Sequence, residues 1–135
     1  LVDQIGKADI IIPFVSNQHE RPWTRKGVSI LFTKIVNFLS GHRLQYYNGP
    51  VIHLRKTIVD SSINTSGFAY QAELLCHVLN DGCSYVEAPF RSVARGHKRS
   101  SAFRMVNIIS VLKSLMRILW NRIKNKKDRL KSRFQ

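Results

Sequence analysis

The segment Ile63–Ser100 constrains the fold of this chain more than any other stretch. Its first half predicts a helix, because Ser66 can cap a helix N-terminus and apolar residues then recur at helical spacing. These apolar residues are Leu74, Leu75, Val78 and Leu79. Asp81-Gly82 ends the helix, since glycine adopts the left-handed conformation at little cost. Tyr85-Val86 then favours a strand, and Pro89 is typical of a strand end or edge.

Strand and helix signals also alternate in the first half of the chain. Ala8–Phe14 is a β-branched run that predicts a buried strand, and Val51–Leu54 predicts a second, shorter one. Between them Thr24 can cap a helix over Arg25–Leu39. One face of that helix is apolar and carries Ile30, Leu31, Ile35, Phe38 and Leu39. The alternation predicts an α/β fold.

A long helix is predicted over Ala102–Lys127, because apolar residues recur there at spacings of three and four. Lys113, Arg117, Arg122 and Lys124 flank this apolar stripe. A basic amphipathic helix of this kind can lie flat on an anionic membrane, and packing on its own domain or on a partner fits the pattern equally well. The boundary near Ser101 divides the chain into an α/β part, 1–101, and a basic amphipathic helix with its tail, 102–135.

The charge of the chain limits its partners. It has 22 basic and 8 acidic residues among 135, a formal net charge of +14, which favours nucleic acid, an anionic membrane or a phosphorylated substrate. The aromatic residues are not interleaved with the cations as a base-stacking platform requires, so we expect no nucleic acid. No run of 18 uncharged apolar residues occurs, and no transmembrane helix is predicted. Cys76 and Cys83 lack Cys-x-x-Cys spacing and predict free thiols.

Two groups of residues are candidates for phosphate binding. The basic loop after the last strand, 91–101, combines cations, hydroxyls and a glycine, and its candidate ligands are Arg95, His97, Lys98, Arg99 and Ser100. Such residues supply charge-assisted donors to phosphate oxygens. Arg25 and Ser29 lie four apart and share one helix face. A solvated loop and a solvated helix start are the alternative interpretations.

Several of these segments together resemble family 2 glycosyltransferases, with the dolichyl-phosphate and polyprenyl-phosphate sugar synthases as the nearest branch. The matching pieces are Ser66-Gly67-Phe68, Tyr70–Leu75, Gly82 with Tyr85–Pro89, and Arg95-Gly96 before Ser100. The resemblance covers about Lys7 to about Ile109. It implies the acceptor-side, C-terminal half of a GT-A-like (Rossmann-like) domain without the N-terminal nucleotide-binding half. We therefore expect the chain to be part of a longer enzyme.

The resemblance also implies an activity and roles for individual residues. Sugar would pass from a nucleotide-diphospho-sugar to a polyprenyl-phosphate or glycan acceptor at the cytoplasmic face of a membrane, with the enzyme bound peripherally. Arg25 and Ser29 would hold the acceptor phosphate, and the basic loop would close over the phosphates. Glu73 would act as catalytic base or would orient the cations. For Glu73 a surface acid is the alternative.

The chain departs from the family pattern in two places. The loop Phe14–Gln18 lacks the arginine of the family's Ser-Arg pair. The divalent metal implied by the family, Mg²⁺ or Mn²⁺, would take its ligands from an Asp-x-Asp motif that this chain does not contain. We therefore expect no turnover by the chain alone. The alternatives are a non-catalytic, membrane-associated remnant and a basic nucleic-acid-binding protein.

Overall fold

The structure is a computed structural model that describes residues 4–17, 23–59, 69–91 and 105–133. Within these ranges the elements follow the order β1 (Ile10–Val15), α1 (Trp23–Ser40), β2 (Ile52–His53), α2 (Arg55–Val59), α3 (Tyr70–Asn80), β3 (Tyr85–Phe90) and α4 (Met105–Arg133). The predicted α/β class is thereby confirmed. Ser66 lies outside the described residues. The helix α3 begins after Ala69, which makes no side-chain cap hydrogen bond.

The described strands form a mixed sheet in the order β2-β1-β3. β1 pairs antiparallel with β2 and parallel with β3. The backbone N–H of Ile10 donates to Ser84 O, and that of Ser16 donates to Phe90 O, both at 3.0 Å. The backbone N–H and C=O groups of the even-numbered residues of β3 therefore point toward β1. Pro89 has no N–H to donate, and its backbone nitrogen points away from β1. This explains why a proline is tolerated within β3.

The hydrophobic core lies between β1 and the helices. Ile10 and Ile12 are fully buried, as expected for the central strand of a sheet that helices cover. The same core cluster contains Val36 of α1, Leu75 of α3 and Ile118 of α4. The apolar stripe predicted for α3 is confirmed, because three of its four members are buried and Leu74 is half-buried.

The helices α1 and α3 both begin on the side of the sheet where β1 and β3 end. α3 reverses directly into β3 through a tight turn in which Gly82 has a φ of 88°, as the Asp-Gly pair predicted. Seven residues separate the end of β1 from the start of α1. The C-terminal ends of the two helices meet, since His42 Nε2 lies 3.1 Å from Asn80 Oδ1. The carboxyl ends of the parallel strands therefore share one side of the molecule with two helix N-termini.

The long helix α4 packs against α1 and α3. Arg122 Nη1 donates to the carbonyl oxygens of Phe38 (2.7 Å) and Leu39 (3.3 Å), which belong to the last turn of α1. Side-chain donors commonly satisfy the carbonyls at a helix C-terminus in this way. α4 thus covers its own domain with one face, and it extends past Lys127 to Arg133.

Candidate functional site

Glu73 occupies the first turn of α3 and is buried, with only 5% of its surface exposed. The positive end of the helix dipole favours a carboxylate at this position. The interpretation of Glu73 as a surface acid is therefore wrong. A buried carboxylate in a basic protein requires a partner, because burial without one is costly.

Arg117 of α4 is the partner that the structure supplies. Its Nη1 lies 3.6 Å from Glu73 Oε2, with the arginine side chain about half exposed. This distance makes an ion pair but is too long for a hydrogen bond. Glu73 Oε2 accepts no hydrogen bond from the described residues. The carboxylate consequently keeps acceptor capacity for a further donor, such as a hydroxyl or a cationic side chain.

Ser29 and Arg25 lie near the start of α1. Ser29 is half-buried and shares the inward face of the helix with Thr33 and Val36, which are buried. The side chain of Arg25 is not among those described, and its backbone position is one turn before Ser29. The structure thus brings Ser29 and Glu73 to the same side of the sheet, each in the first part of its helix.

The basic loop lies outside the described residues, so the structure does not test where its side chains go. This applies to Arg95, His97, Lys98, Arg99 and Ser100. The described chain leaves β3 at Phe90 and continues to the exposed Arg91. It leaves at the carboxyl end of the parallel strands, where α1 and α3 begin.

Gln71 is a positioning residue that the sequence did not reveal. Its side-chain amide donates to the carbonyl oxygen of Gly49. A Cβ on Gly49 would lie 2.9 Å from the carbonyl oxygen of Pro13 in β1, so only glycine fits this close approach. The first turn of α3, which carries Glu73, is thereby tied to β1. The turn signal Asn48-Gly49-Pro50 was the available clue.

The cysteines and histidines do not form a second site in the part of the chain that is described. Burial raises the pKa of the Cys76 thiol to about 12, so this thiol stays protonated near neutral pH. Desolvation likewise raises the pKa of Cys83 and lowers that of His53. No three His, Cys, Asp or Glu side chains within the described ranges come together as metal ligands. The described residues therefore do not fit the Mg²⁺ or Mn²⁺ that the resemblance implies.

Comparison with protein-family models, with curated proteins and with solved structures found no match to this chain. No helix in the described parts of the chain is both long enough and apolar enough to cross a bilayer. The class that the structure defines is a mixed α/β protein with a small mixed sheet covered by helices.

Proposed function

We propose that this chain is the acceptor-side part of a glycosyltransferase with a GT-A-like (Rossmann-like) fold. It takes part in transfer of a sugar from a nucleotide-diphospho-sugar to a polyprenyl-phosphate or glycan acceptor. The observation that carries the proposal is the buried Glu73, held at the start of α3 beside the carboxyl ends of β1 and β3. The resemblance to family 2 glycosyltransferases assigned this same residue to the site.

The topology supports the proposal independently of the resemblance. In open α/β sheets, ligands bind outside the carboxyl ends of the strands. Two described helix starts reach that side of this sheet: the start of α1 with Arg25 and Ser29, and the start of α3 with Glu73. The strand β3 ends on the same side, and Arg95–Ser100 follow it in the sequence, beyond the described residues.

The chemistry assigns different tasks to these groups. The acceptor oxygen attacks the anomeric carbon, and the bond from that carbon to the diphosphate oxygen breaks with inversion. Cations such as Arg95 and Lys98 stabilise the negative charge that develops on the leaving nucleoside diphosphate. An acceptor phosphate is already ionised near neutral pH, so Glu73 then orients the cations. A glycan hydroxyl must lose its proton, and Glu73 then acts as general base.

We locate this reaction at the cytoplasmic face of a membrane, with the protein bound peripherally, because the apolar chain of a polyprenyl phosphate is held in the bilayer. The donor nucleotide and the divalent ion require residues that this chain does not contain. The purified chain alone is therefore expected to show no sugar transfer. Sugar transfer by the purified chain alone would contradict the proposal that residues outside this chain bind the donor nucleotide and the divalent ion.

Acceptor binding tests the proposal directly. The full chain is titrated with nanodiscs that contain either polyprenyl phosphate or neutral polyprenol, and we expect binding that depends on the phosphate. Arg95→Gln/Lys98→Gln should weaken it, whereas Lys56→Gln on the exposed face of α2 should not. Equal binding of the two lipids would refute the proposal. Steep salt-dependent binding of nucleic acid without phosphate-dependent lipid binding would favour the nucleic-acid alternative.

A further inference from the structure

The helix α4 carries large apolar side chains on its exposed side as well as on its inward side. Its exposed side carries an apolar row, each member of which is between 50% and 70% exposed. We define this outward row as Ile109, Leu112, Met116, Trp120 and Ile123. The inward side contains the buried Ser114 and Ile118, the half-buried Leu115, which packs against the core, and the half-buried Asn107, Asn121 and Asn125. A helix in water normally buries its apolar stripe and exposes its polar one.

The helix α1 also exposes large apolar side chains, although Val36 on its inward side lies in the core. Leu31 is 60% exposed and Phe38 is 80% exposed, while Thr33 and Ser40 are buried on the inward side. Because Arg122 donates to the carbonyl oxygen of Phe38, the end of α1 lies directly beside α4. Two adjacent helices therefore expose large apolar side chains, and exposed apolar surface on this scale marks an interaction site.

The charges around the outward row indicate which kind of partner binds to it. Lys113, Arg117 and Lys124 run along one side of the row, and Lys126 lies toward the other. Nine Lys or Arg residues and one Asp occur in α4. A second copy of the chain would bring these like charges together across the contact, which is unfavourable. Nucleic acid would pair with the cations but leave the apolar row in water. An anionic lipid surface satisfies both features.

We propose that α4 lies flat on an anionic bilayer, with the outward row inserted among the acyl chains and the flanking cations on the lipid phosphates. Trp120 sits at the depth that tryptophan prefers, between headgroups and acyl chains. The inference comes from burial and charge. It specifies which surface makes the peripheral membrane contact of the proposed function, and it holds whether or not the chain takes part in sugar transfer.

Vesicle flotation with the full chain tests this surface. We expect the chain to float with vesicles that contain phosphatidylglycerol and to bind vesicles of phosphatidylcholine more weakly. Leu112→Gln/Met116→Gln/Trp120→Gln should lower the partition coefficient at least about tenfold, because each change removes an inserted apolar group. These side chains are exposed, so the fold should persist by circular dichroism. The matched control Ile5→Gln/Val59→Gln, equally exposed but off α4, should retain binding.

A second variant tests the contribution of the flanking cations to membrane binding. Lys113→Gln/Lys124→Gln should lower partition onto anionic vesicles by about fivefold per charge at low salt and leave phosphatidylcholine binding unchanged. Failure of the wild-type chain to float with anionic vesicles would overturn the proposal. Equal flotation of the wild type and the row variant would overturn it as well.

Fluorescence distinguishes insertion from a protein contact. The chain has two tryptophans, so Trp23→Phe leaves Trp120 as the only indole. On anionic vesicles we expect a blue-shifted emission that brominated acyl chains quench. If the outward row instead binds a second copy, light scattering without lipid will show a dimer that Met116→Gln dissociates. That result would overturn the membrane proposal.

Discussion

The ion pair between Glu73 and Arg117 should stabilise the fold, and its contribution can be worked out from its geometry. At 3.6 Å and an effective dielectric constant of about 20, the gross attraction is about 4–5 kcal/mol. Arg117 is half exposed, so water screens part of this attraction and the side chain loses entropy when it pairs. Glu73 is buried, so its carboxylate would lose its partner without gaining full hydration. We expect Arg117→Met to cost about 1–3 kcal/mol.

Urea unfolding of four proteins measures this contribution. The set is the wild type, Arg117→Met, Glu73→Gln and the double variant, and the double-mutant cycle isolates the coupling between the two side chains. Glu73→Gln removes the buried charge, so Arg117→Met should cost less in that background, with a coupling of about 1 kcal/mol or more. The matched control is Lys113→Met, which removes a cation one turn earlier on the same helix and should change stability little.

A coupling near zero would refute this reasoning. It would mean that α4 does not hold Glu73 in solution. Arg117→Met would then be no more destabilising than Lys113→Met. The contact between α3 and α4 at Glu73 and Arg117 would then contribute nothing measurable to stability.

Three further outcomes concern a tyrosine hydroxyl, an exposed serine–aspartate hydrogen bond and the two thiols. Tyr47→Phe removes the hydrogen bond that the hydroxyl donates to Asn37 Oδ1 at 2.8 Å and should cost about 1 kcal/mol in urea unfolding; unchanged stability would contradict this. The Ser84 hydroxyl donates to Asp9 and lowers its pKa below 3.8. A carboxyl group whose pKa is lowered by folding stabilises the fold at pH values above its unfolded-state pKa. This contribution is lost as the pH falls through the pKa of the folded state. Ser84→Ala should therefore be destabilising at neutral pH by an amount that shrinks in acid, and a pH-independent difference would argue against it. In folded protein, a thiol reagent should modify the half-buried Cys83 and reach the buried Cys76 only on unfolding, whereas equal rates would contradict that burial.

The sequence predicted local structure well where one residue type decides the conformation. The β-branched run of β1 and the left-handed Gly82 are examples, because sterics act within a few residues. It did not predict which face of α1 is buried. Leu31 and Phe38 form part of an apolar face, yet Val36 lies in the core and they do not. Periodicity shows that a helix has an apolar face but not what covers it.

The residues of the candidate site were also predicted only in part. The resemblance to family 2 glycosyltransferases singled out Glu73, whereas Arg117 was predicted only as a cation flanking an amphipathic stripe. Pairing of residues 44 positions apart depends on how α4 crosses α3, and no local pattern encodes that crossing.

Arg117 therefore links the two proposals, because one guanidinium belongs both to the pair with the buried Glu73 and to the cationic side of the outward row. Half of its side-chain surface is open, so a lipid phosphate can approach it while it holds the carboxylate. Arg117→Met should consequently lower both the free energy of unfolding and the partition onto anionic vesicles. Lys113→Met should lower only the second. If the two variants behave alike in both assays, Arg117 has no role at Glu73, and α4 meets the lipid surface without any connection to the candidate site.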